Sequence, residues 1–214
     1  MQNLAVAKGI YRKILLVLTV MVIMFLTAGH SLRAEALENG EMLENLGSLK
    51  LGFDGYFIGH ALNDDQLDLA RGQELEESFK GTYKFRDQQV SVVASRKDNI
   101  ILAVFKRYDG VGSEDLKTGV AETMDRFGEP TTMAHDKMIY WAYDKDGKIG
   151  EERFNQLKSK GDLQVLATVK FDSSVPLDRV ENNEGEEINY YIMISSQPVL
   201  ESFLQKNKLL PDSE

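Results

Sequence analysis

Residues 82–105 read TYKFRDQQVSVVASRKDNIILAVF. Tyr83 and Phe85 alternate with polar residues, and so do Val90, Val92 and Ala94. Alternation at period two is the mark of a strand with one buried face. Ile100 to Phe105 is apolar on both faces, as a central strand is. The breaks, Arg86-Asp87-Gln88 and Arg96-Lys97-Asp98-Asn99, have hairpin length. This stretch therefore predicts three consecutive antiparallel strands.

Upstream, Asn63 to Phe79 predicts a helix. Asn63 or Asp64 caps it, Leu67, Leu75 and Phe79 share a face, Gly72 weakens its middle and Gly81 ends it. Lys50 to Ile58 reads as extended chain bent at Gly52, Gly55 and Gly59. Residues 37–48 are expected to be loosely attached, as a short helix at most. Downstream, Ser113 is the expected N-cap of a second helix, with Leu116, Val120, Met124 and Phe127 on its buried face. Gly128 and Pro130 stop it. Three further strands follow, at Met138 to Tyr143, Leu163 to Phe171 and Ile188 to Ile194. Glu181 to Glu187 reads as a solvated turn. Ser196 or Gln197 caps a last helix that turns Val199, Phe203 and Leu204 inward. The expected class is α+β, an antiparallel sheet or sheets with helices packed on one face. The order fits two tandem αβββ units, 37–109 and 110–214, packed as one globular domain.

The N-terminus has a basic front (Lys8, Arg12, Lys13), an uncharged apolar run from Ile14 to Ala28, and Ala34-Glu35-Ala36. That order predicts a secretory signal peptide over residues 1–36, with the mature chain starting at Leu37. The alternative is an uncleaved anchor in the inner membrane through residues 14–28. The chain has 214 residues and a formal net charge of −9. Removing residues 1–36 takes away four basic residues and one acid and leaves −12. Such a charge disfavours nucleic acid and anionic lipid surfaces. With no cysteine, the chain must fold without disulfides, and it is long enough to bury a sizeable core. The expected location is the periplasm of a bacterial envelope.

Glu114-Asp115-Leu116, Phe127-Gly128-Glu129-Pro130 and Tyr140-Trp141-Ala142-Tyr143 form one local signature. A helix ending in Phe-Gly-x-Pro before a strand with Trp and Tyr resembles the BamE/SmpA and β-lactamase-inhibitory-protein-like group over about residues 113–143. The resemblance implies helices on an antiparallel sheet, and a binding role exercised through the sheet face or its loops.

Catalytic motifs are not apparent. Gly110-Val111-Gly112-Ser113 sits where phosphate loops sit, but Glu114 and Asp115 would repel phosphate, and turn-plus-cap is the simpler reading. His60 and His135 lack partners at metal spacing. Asp144-Lys145-Asp146-Gly147 opens like a calcium loop, but its continuation fails, so it reads as a hairpin turn. No metal, cofactor or catalytic residue is expected. Tyr140, Trp141 and Tyr143 are the candidate interaction surface, set against the reading that one strand face is core; Tyr190 and Tyr191 carry the same ambiguity. The expected function is a non-catalytic envelope protein that binds another envelope protein. The alternatives are a small-molecule or lipid carrier, and an enzyme with a site assembled from distant residues.

Overall fold

A computed structural model describes residues 40–75, 80–178 and 187–208. The expected signal peptide or anchor lies outside the described residues. Met42–Glu214 forms one compact unit.

The chain is α+β. Helix α1 covers 40–48, and the hairpin β1 (Gly52–Phe53) and β2 (Tyr56–Phe57) follows. Asp54 and Gly55 both take positive φ in its turn (49° and 88°), which suits Asp-Gly. Next come α2 (Asp64–Gly72), β3 (Glu74–Leu75), β4 (Thr82–Asp87), β5 (Val90–Ser95) and β6 (Ile101–Val111). The second set is α3 (Ser113–Phe127), β7 (Thr132–Ala134), β8 (Met138–Asp144), β9 (Gly147–Ile149), α4 (Glu151–Lys160), β10 (Ala167–Ser173), β11 (Ile188–Ser195) and α5 (Gln197–Lys208).

Among the described residues, nine strands form one antiparallel sheet in the order β3-β4-β5-β6-β11-β10-β8-β7, with β9 paired to β8. The last strands of the two sets, β6 and β11, are neighbours at its centre, with Val104 opposite Ile194. That pairing makes one sheet of the two strand sets, a point the alternation patterns leave open.

The core lies on one sheet face. Register puts Phe85, Val92, Val104, Ile194, Val169 and Trp141 in one row across six strands. All six are 0% exposed. Burying each such side chain contributes roughly 1.5–3 kcal/mol. Leu46 of α1, Ala70 of α2, Leu116 of α3 and Val199 of α5 join the same cluster, so helices pack against this face. Because Leu46 is 0% exposed, the segment expected to hang loosely is tied into the core from Met42 onward. A row of stacked rings continues the face: Tyr108, Tyr190 and Phe171 have centroids 4.5 and 5.0 Å apart. Gly119 of α3 lets that stack approach the helix, since a Cβ there would lie 2.4 Å from Tyr190 Oη.

Several local expectations are corrected. The helix predicted to Phe79 ends at Gly72, with Gln73 as C-cap, and Leu75 belongs to an edge strand; residues 76–79 lie outside the described residues. Of the two expected N-caps of α2, Asn63 is the one the structure bears out, its side chain accepting from Gln66 N at 2.9 Å. The N-cap of α3 is Gly112 rather than Ser113, and the Asp115 carboxylate accepts from Gly112 N at 3.3 Å. The strand expected from Leu163 begins at Ala167. Helix α4, unforeseen, carries only Phe154 and Leu157 as apolar residues and buries none. Ser196 caps α5 as expected, but Leu204 is 41% exposed rather than turned inward. The acidic turn from Glu181 lies outside the described residues up to 186.

Candidate functional site

Alternation sends the chain neighbours of the buried row to the opposite face. There Arg86, Ser91, Phe105, Met193, Lys170 and Tyr140 lie side by side on the same six strands. Ser91 is buried beneath its larger neighbours, Arg86 is exposed, and the other four are half-buried. None of Phe105, Met193, Tyr140 or Tyr191 joins the hydrophobic core cluster. The next row along holds Arg107, Tyr191, Asp172 and Met138.

The two rows are tied together by polar contacts. Lys170 Nζ donates to Tyr191 Oη at 2.7 Å, and Tyr191 Oη donates to Asp172 Oδ2 at 2.6 Å. Lys170 Nζ also lies 2.6 Å from Asp172 Oδ2. Burial works against the charge on Lys170, but its bonds to Asp172 and Tyr191 prevail and push the ammonium up to about 12. Burial likewise disfavours the Asp172 carboxylate, and the same partners prevail, holding it below the usual carboxylate range. Tyr191 is raised, by burial first and by its bond to Asp172 second. At neutral pH the lysine stays protonated, the carboxylate charged and the phenol neutral. A base or nucleophile needs its pKa moved toward neutrality; here all three move away from it. The triad acts as a rigid polar fixture on an otherwise aromatic and aliphatic surface.

The residues singled out from sequence separate. Trp141 and Tyr143 belong to the core, 0% and 8% exposed, so they are not surface anchors. Burial raises the Tyr143 hydroxyl to about 12. Tyr140 alone of that trio lies on the outward face, where its hydroxyl meets Met138 Sδ at 3.3 Å. The same division separates Tyr190, in the ring stack, from Tyr191, in the triad.

The Phe127-to-Trp141 signature has a structural cause. The Trp141 indole N–H donates to the Gly128 carbonyl at 2.6 Å, and Lys148 Nζ donates to the carbonyls of Phe127 and Glu129 at 3.1 and 3.0 Å. These bonds satisfy carbonyls at the end of α3 and hold the turn into the strands. Gly128 sits there at φ 73°. The chain matches no known family, no curated protein and no solved structure.

Other candidates resolve into structure. In the glycine turn before α3, Gly110 N donates to Asn189 Oδ1 at 2.9 Å, and Gly112 N is held by Asp115. Asp144 to Gly147 forms the β8–β9 turn, with Asp146 N donating to Asp144 Oδ1 at 2.9 Å and Arg153 2.6 Å from Asp144. His60 Nε2 lies 2.9 Å from Gly47 O, and His135 occupies the β7–β8 turn at φ 56°. Among the described residues no group of three histidines or acids is placed to hold a metal. No described helix is long and apolar enough to cross a membrane.

Phe105, Met193, Lys170 and Asp172 escaped the sequence reading. The signal was present in part: Lys170 and Asp172 are the polar members of an alternating strand. Their junction with Tyr191 depends on β10 and β11 pairing in one register.

Proposed function

We propose that the protein is an exported, non-catalytic binding module of the bacterial envelope, and that the outward face of its sheet receives another envelope protein. The observation carrying this reading is the row Phe105, Met193, Lys170 and Tyr140. It places large apolar groups and a fixed polar triad on the face away from the core. Aromatic, Met and Arg side chains surrounded by satisfied polar groups are what protein interfaces use.

A photo-crosslinking residue at Phe105 or Met193, introduced into the full-length protein in living cells, tests it. A single envelope protein should be captured at these positions and not from Asp125 on α3. Equal capture at both places, or none at Phe105 and Met193, would sink the reading.

A further inference from the structure

Lys84 and Arg86 project from β4 to the same face as Phe105 and Met193, since Lys84 pairs with Val93 and Arg86 with Ser91. The Lys84 ammonium stands 4.9 Å from the centroid of the Phe105 ring. The other cations of this face are neutralised locally: Arg107 Nε lies 2.7 Å from Asp109 Oδ1, and Lys170 pairs with Asp172. Among the described residues, Lys84 and Arg86 have no ion-pair partner. A chain of net charge −9 thus presents, among its described residues, two cations without an ion-pair partner beside its outward aromatic group.

Resting on the reading of this face as the docking surface, we infer that the partner is a protein presenting carboxylates to Lys84 and Arg86, next to an apolar group seated on Phe105 and Met193. Charge complementarity selects this occupant. An acidic group gains two cations already held beside the apolar contact, whereas a basic one meets like charge. The overall acidity of the chain repels an acidic partner at a distance, so the attraction acts at contact and sets register. Lys84 contributes twice, because an ammonium over an aromatic face keeps hydrogens free for a carboxylate.

Short random peptides displayed on phage, sorted against the purified full-length protein, provide the test. Enriched peptides should place Asp or Glu beside Leu, Phe or Trp. They should bind the Lys84→Glu/Arg86→Glu protein about tenfold more weakly at low salt, and the difference should shrink in high salt. Phe105→Ser should also weaken them. Unchanged binding to the charge-reversed protein, with loss on Phe105→Ser, overturns the acidic partner and leaves the docking face standing. Unchanged binding to both overturns the docking face as well. Enrichment of basic or uncharged peptides, no enrichment at all, or a dimer in sedimentation that Phe105→Ser dissolves, each overturns the acidic partner.

Discussion

Six pairs of chain neighbours separate the two faces of the sheet: Phe85 and Arg86, Val92 and Ser91, Val104 and Phe105, Ile194 and Met193, Val169 and Lys170, Trp141 and Tyr140. The first of each pair is 0% exposed, while the second lies on the outward face. The first row is apolar throughout, whereas the second mixes Phe and Met with Lys and Arg. A face selected only for solubility has little need of Phe105 and Met193; a face selected only for packing would exclude Lys170 and Arg86. The contrast teaches that stability and recognition occupy adjacent residues of the same strands, and that a shift of one residue in register would exchange them.

Truncation at the buried row should cost most. Trp141→Ala is expected to destabilise by about 3–5 kcal/mol in urea unfolding, from the lost volume and the bond to Gly128. Tyr140→Ala, one residue away, should cost far less; equal costs would break the distinction between the faces. Gly119→Ala comes next, at about 1–3 kcal/mol, because Tyr190 is stacked between Tyr108 and Phe171 and cannot swing clear. The better helix propensity of alanine offsets only part of this. A second change, Tyr190→Phe, should recover part of the loss in a double-mutant cycle.

The polar triad should contribute less, about 1 kcal/mol, read as the stability change on Asp172→Asn. Its pH dependence has two signs. The Asp172 carboxyl is depressed in the fold, so its contribution is present above the ordinary carboxylate pKa and disappears as pH falls through the depressed value. Lys170 is raised to about 12, so its contribution is present below 10.5 and disappears as pH rises through about 12. Acid and alkaline unfolding of the Asp172→Asn protein should lack both components. The smallest effect belongs to Arg86→Glu, within about 0.5 kcal/mol of wild type by thermal unfolding, since the side chain is exposed. A larger loss there would give Arg86 a structural role and blur the comparison.

Much of the fold was legible because hydrophobic periodicity reports burial directly. The strands from Tyr83 to Phe105, the α3 face of Leu116, Val120, Met124 and Phe127, and the stop at Gly128 all follow from it. Helix α4 was not legible, because a helix that buries nothing leaves no apolar stripe to detect. The end of α2 was misplaced because Leu75 fits the helical spacing equally well, and pairing with Lys84 in an edge strand prevailed.

The sequence by itself determined the α+β class, the absence of disulfide bonding, the stop of α3 at Gly128, and which residues of each strand share a side. It could not say which aromatic of the Tyr140-Trp141 or Tyr190-Tyr191 pair would be covered, since alternation assigns sides without naming the buried one. Tertiary structure decided that, by seating the helices against the Trp141 and Tyr190 side and pairing β6 with β11. The same pairing placed Phe105 beside Met193, with Lys170 next in the row and bonded to Tyr191 and Asp172. Residues from three strands meet there only because long-range register aligns them, and register is a property of the assembled sheet rather than of any segment.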